Sequence, residues 1–197
     1  MPRRPSADLI AEDERRQLRR QQDFRVAADA VAKALAKFEE VERVALFGSC
    51  ARPLVREVPR FQPYRSLRIE IWHECKDVDL AVWLSRTDRL RELSRARNQA
   101  VSRLFAATQI GVANHQVDVF LLSAEDERYL GRLCLYSSCP KGKLECLVPG
   151  CGATAFLRQH EDFVFAADAL IPGKAVTLFE RRVGAVAKAA DLPSQDL

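Results

Sequence analysis

No stretch of this sequence approaches the roughly 18 consecutive apolar residues that a membrane-spanning helix needs. The start, MPRRPSADLIAEDERR, lacks the apolar run of a secretory signal. A cytoplasmic protein with no membrane partner is expected. Charge of one sign is also scarce: 31 Lys and Arg against 27 Asp and Glu leave a formal +4, too little for a general nucleic-acid-coating protein. No aromatic-basic stripe, internal repeat or low-complexity segment interrupts the chain. What remains is the balance of an ordinary soluble globular protein: 197 residues, 48% hydrophobic and 29% charged. Six cysteines without an export signal point to metal binding, reactive thiols or buried fillers rather than to a disulfide framework.

An apolar stripe at steps of three to four, Phe24, Ala27, Val31, Leu35 and Phe38, predicts an amphipathic helix ending near Glu40 behind an Arg-rich start. Arg43 to Phe47 reads as a buried strand running into a Gly48-Ser49 turn. Residues 53–66 read as loop, and the alternating Leu67 to Ile71 as a strand. Asp77 to Leu84 is a further strand, Thr87 to Thr108 a long helix, and Gln116 to Leu122 a third apolar strand. Ser123-Ala124-Glu125-Asp126 has the spacing of a helix start. Phe163 to Phe165 and Ala175 to Phe179 are β-like runs in the tail. The expected fold is α+β: a mixed sheet with flanking helices in a core at 1–123, and a small cysteine-rich appendage at 124–197 holding a helix, a cysteine knuckle and terminal strands.

Asp77 and Asp79, two apart on a strand, leave the same face while Val78 and Leu80 enter the core. An isolated pair of this kind usually caps a strand end in solvent. This pair has company: Asp118 interrupts a strand of Val, Phe and Leu, where a carboxylate is costly to bury alone. A neighbouring strand with Asp118 facing the pair makes a three-carboxylate site for hard divalent cations such as Mg2+. The Gly48-Ser49 turn adds close backbone approach and a hydroxyl donor, both suited to phosphate.

LFGSCAR at 46–52, KDVDLAVWL at 76–84 and HQVDVFLL at 115–122, in that order, resemble the nucleotidyltransferase superfamily of the DNA polymerase beta type, including its minimal bacterial members. The resemblance spans residues 22–122 and implies a nucleoside triphosphate held through two Mg2+ ions. It further implies that Gly48 and Ser49 hold the triphosphate, that Asp77 and Asp79 bind metal, and that Asp118 is the third acid, helping to activate the acceptor. Arg52 is a phosphate contact on the same reading. One departure is the long gap between Gly48 and Asp77, an insertion at 53–75 that reads as an extra hairpin beside the site.

Cys134, Cys139, Cys146 and Cys151 stand as C-x4-C-x6-C-x4-C, a pattern for four thiolates on a structural Zn2+, with His160 as a substitute for Cys134. Buried free thiols or redox pairs are the alternative. Zinc there would staple a tail poor in apolar surface, and Lys141 and Lys143 inside it are thin grounds for a phosphate-backbone contact. Cys50 and Cys75 are read as core fillers, and His73 and His115 as satisfied or exposed histidines outside the catalytic set. Three functions compete: transfer of a nucleoside monophosphate to a small molecule, protein or RNA acceptor; a catalytically silent nucleotide- or partner-binding module of the antitoxin kind; and a zinc-dependent nucleic-acid binder.

Overall fold

A computed structural model describes residues 4–135, 151, 153–159 and 163–195. Helix α1 (Ala7–Leu35) begins where Ser6 accepts the Leu9 N–H at 3.2 Å, with Asp8 in its first turn. It runs well N-terminal of the apolar stripe. Strand β1 (Val41–Phe47) follows, then a 3-10 turn at Ser49–Ala51, β2 (Arg56–Glu57), the one-turn α2 (Tyr64–Leu67), β3 (Ile71–Trp72), β4 (Val78–Leu84) and helix α3 (Leu90–Thr108). The chain continues through β5 (Val117–Ser123), β6 (Tyr129–Leu133), β7 (Leu157–Arg158), β8 (Val176–Glu180) and β9 (Gly184–Ala185).

Seven strands form one sheet in the order β7-β6-β5-β4-β1-β8-β9, and β2 pairs with β3 separately. The sheet is mixed: β4 and β5 are parallel and its other neighbours antiparallel. This is the expected α+β class. Alternation sorts the side chains. Val44, Leu46, Val78, Leu80, Val82, Val117, Val119 and Leu121 join Phe24, Val31, Leu35, Leu90, Leu93 and Val101 of α1 and α3 in the main core. Ala45, Phe47, Ala81, Trp83, Phe120 and Leu122 face the other side, beneath Phe163, Phe165 and Leu170.

Three local expectations are corrected. No helix starts at Ser123; its hydroxyl accepts the N–H groups of Glu125 and Asp126 at 3.3 and 3.4 Å, and the turn closes when Ser123 N–H donates to Arg128 O, delivering the chain into β6. Leu67 to Ile71 is not one strand, because the turn of α2 ends at Arg68 in the left-handed region (φ 51°) and only Ile71 and Trp72 pair, with β2. Phe163 to Phe165 form no strand; their rings cover the sheet, Phe163 5.9 Å from Phe120 and Phe165 5.9 Å from Phe47, so aromatic contact takes the place of a ladder.

The tail does not stand apart as an appendage. Strand β8 pairs with β1, Val44 opposite Phe179 and Ala45 opposite Thr177, while β6 extends the sheet beyond β5. The last described segment lies on α1, where Asp29 accepts the N–H groups of Ala189 and Ala190 at 2.7 and 3.0 Å. Residue 123 is therefore no boundary within the sheet. No helix of the described residues is long and apolar enough to cross a membrane.

Candidate active site

The sheet brings the three acids to one face and one end. In the parallel register Asp79 stands opposite Asp118, and Asp77 precedes Asp79 by two residues. Phe47 is the antiparallel partner of Asp79, so the chain leaves β1 directly over that carboxylate. Gly48 makes this turn with φ 75°. A Cβ there would lie 2.5 Å from Asp79 Oδ2. Glycine is thus required twice over, by the backbone angle and by the absence of room. Gly48→Ala is expected to cost about 1–3 kcal/mol and to push Asp79 out of place; an unchanged melting temperature would argue against the contact.

The Asp79 carboxyl is pushed up to about 7, first by burial, then by the charges of Asp77 and Asp118, with Arg132 acting in the opposite sense. Arg132, on β6, donates from Nη1 to Asp118 Oδ2 at 2.7 Å. Its guanidinium sits 4.4 Å from the ring centre of Phe120 and 5.1 Å from that of Phe163. Sequence reasoning missed this residue. Its only local signal is a cation in the strand YLGRL, and the pairing of Phe120 with Arg132 is what sets it beside Asp118.

The turn from Gly48 to Arg52 is held from beneath by α1. Gln21 Nε2 donates to Arg52 O at 2.8 Å. Arg25, 0% exposed, donates to Cys50 O and Arg52 O, and also to Leu192 O, Pro193 O and Ser194 Oγ of the terminal segment. Arg20 Nε donates to Cys75 O at 2.8 Å. These positioning residues were not legible either, since each acts through a carbonyl far along the chain. Ser49 and Arg52 open on a cavity of about 350 Å3 that His73 also lines.

The buried pair Cys50 and Cys75 fits the filler reading, with one addition: Cys50 Sγ donates to Asp77 O at 3.2 Å, tying the turn to the acid strand. Its hydrogen bond with Cys75, and then burial, push the Cys50 thiol up, so it remains a donor. His115 is exposed on the 3-10 turn Asn114–Gln116 that leads into β5.

Of the expected zinc ligands, Cys134 is buried beside α3, where Ser94 Oγ donates to its carbonyl at 2.8 Å, and Cys151 is half-buried. Cys139, Cys146 and His160 lie outside the described residues, as do Lys141 and Lys143. Among the described residues no three His, Cys, Asp or Glu side chains, the three aspartates included, are gathered as a group that could hold a metal ion. The three aspartates share a face and adjacent positions, with Asp118 engaged by Arg132. Comparison with protein-family models, with curated proteins and with solved structures finds no match to this chain.

Proposed function

We propose that this protein is a Mg2+-dependent nucleotidyltransferase that moves a nucleoside monophosphate from a nucleoside triphosphate to an acceptor hydroxyl or amine, with pyrophosphate leaving. The observation that carries the reading is the Asp79 carboxylate, opposite Asp118, filling the space that a side chain at Gly48 would take. A phosphate-type turn and an acid cluster meet there. The donor set fits a hard divalent cation: carboxylate oxygens, half-buried, mutually repelling, and offset only in part by Arg132.

On this reading Asp77 and Asp79 hold the metal, and Asp118 completes the set and faces the acceptor. Bound Mg2+ supplies charge neutralisation and polarisation of the phosphate oxygens. The chain supplies the rest. Gly48 lets the backbone close on the triphosphate, the Ser49 hydroxyl turns from the Cys75 thiol to donate to a phosphate oxygen, and Arg52 offsets charge on the far side. Asp118 is placed to accept a proton from the acceptor, and Arg132 fixes its orientation. Structural Zn2+ on Cys134, Cys139, Cys146 and Cys151 belongs to the same proposal; metal analysis of unchelated protein showing no zinc would remove it.

Arg132 also supplies the ground for a second reading, a catalytically silent nucleotide- or partner-binding module. A guanidinium on Asp118 occupies the place where a catalytic cation would neutralise it. Arg132→Met is expected to tighten Mg2+ binding by about fivefold, since a competing cation beside the acids is removed. Unchanged Mg2+ affinity by calorimetric titration would show that Arg132 and the ion do not compete. The two readings separate when the protein, Mg2+ and each α-labelled nucleoside triphosphate are incubated with cell extract, beside the Asp77→Ala/Asp79→Ala variant. Label transferred only by the wild type supports the enzyme. Nucleotide binding with no transfer supports the silent module.

A further inference from the structure

The insertion leaves one side chain beside the phosphate-type turn without a role. His73 directly follows β3, and its backbone N–H donates to Val55 O at 2.9 Å, continuing the pairing of β2 with β3. Its ring Nδ1 lies 2.9 Å from Glu57 Oε1 on β2, so the small two-stranded sheet itself brings imidazole and carboxylate together. A carboxylate accepting from Nδ1–H fixes the ring orientation. In the imidazolium form Nε2–H is then the donor left to meet an anion, where the neutral ring would present only an acceptor, and among the described residues Nε2 has no hydrogen-bond partner.

That imidazole lines the same cavity of about 350 Å3 as Ser49 and Arg52. The cavity is lined by Arg52, His73 and Ser49, whose hydroxyl is bonded to the Cys75 thiol, and by no carboxylate residue, and Arg52 makes no ion pair among the described residues. An anion is the ligand such a lining selects. Its position adjoins the Gly48 turn, whose missing Cβ leaves room for the Asp79 carboxylate. Resting on the nucleotidyltransferase reading, we propose that His73, oriented by Glu57, binds the terminal phosphates of the nucleoside triphosphate together with Arg52 and Ser49. The insertion at 53–75 is then part of the donor site, and it discriminates a triphosphate from a monophosphate.

Calorimetric titration of the full chain in Mg2+, with inorganic tripolyphosphate and separately with AMP, tests this. His73→Gln is expected to weaken tripolyphosphate about tenfold, the worth of one charge-assisted hydrogen bond, and to leave AMP unchanged. Glu57→Gln, which keeps the imidazole and loosens it, is expected to weaken tripolyphosphate about threefold with the same contrast. It carries the test should His73→Gln fail to fold. Equal loss for both ligands, or no loss for either, overturns the role of His73. Label transfer by a wild type that does not bind tripolyphosphate overturns this proposal and spares the enzyme reading. Neither transfer nor binding overturns both.

Discussion

Replacing Asp79 with Asn is expected to make the protein more stable and, under the proposed function, to abolish nucleotidyl transfer. Both effects have one origin. The Asp79 carboxyl is raised from 3.8 to about 7 in the fold, so the native state holds a proton that the unfolded chain has released. Below pH 3.8 the group is protonated in both states and costs nothing. As pH rises from there the unfolded state gains, and above pH 7 the whole penalty is present. Burial and two like-charged neighbours set its size, and water reaching the half-buried site reduces it to about 1–3 kcal/mol. Asp79→Asn removes the charge and with it the penalty. In metal-free buffer at pH 8 the variant should therefore melt higher than the wild type by about 3–8 °C, while the two converge toward pH 5. Under the proposed function transfer should fall by at least about a thousandfold, because that reading gives Asp79 the catalytic cation to hold. A gain over the wild type no larger at pH 8 than at pH 5 would refute the raised carboxyl. A folded variant with wild-type transfer would refute its catalytic place.

The second large effect is expected at Arg25, which no chemical step uses. Its side chain is fully buried, and among the described residues it has no carboxylate partner and serves five oxygen acceptors: two carbonyls of the Gly48–Arg52 turn, and two carbonyls and a hydroxyl at Leu192 to Ser194. Burial lowers its pKa, yet the fork of donors keeps the charge solvated by protein oxygens instead of water. Arg25→Met is of similar length and leaves those acceptors without donors. A loss of about 3–5 kcal/mol is expected, lowering the melting temperature by about 10 °C. Arg25→Lys keeps the charge but offers one nitrogen, and should recover no more than about half of the loss. Hydrogen exchange should accelerate first at 49–52 and 189–195, the segments the guanidinium joins. Uniform loosening of the whole sheet would instead mean that Arg25 is an ordinary core residue.

Much of the site was legible in the sequence because alternation along a strand is a local property. Asp77 and Asp79 share a face whatever lies beside them, and so do Asp118 and Phe120. The stripe Phe24, Ala27, Val31 and Leu35 of α1 and the glycine at the end of β1 are local in the same sense, and both were legible from spacing. Ser123 shows where local reading fails. Its hydroxyl serves a turn as readily as a helix cap, and the strand that follows, bonded to β5, decided for the turn. Phe163 to Phe165 failed for a related reason, since β-branched and aromatic runs suit a covering layer as well as a ladder.

The sequence by itself determined which residues are acids, which face of its own strand each takes, and where the chain must turn on glycine. Only the tertiary structure decided that β4 lies beside β5 with Asp79 opposite Asp118, and that β8 returns from the tail to pair with β1. The same long-range pairing brought Arg132 onto Asp118, and α1 brought Arg25 beneath the turn. The physical reason is common to all of these. Strand neighbours and buried cations are chosen by contacts between residues far apart in the chain, whose favourable energy appears only once the sheet has closed, so no window of sequence carries their signal.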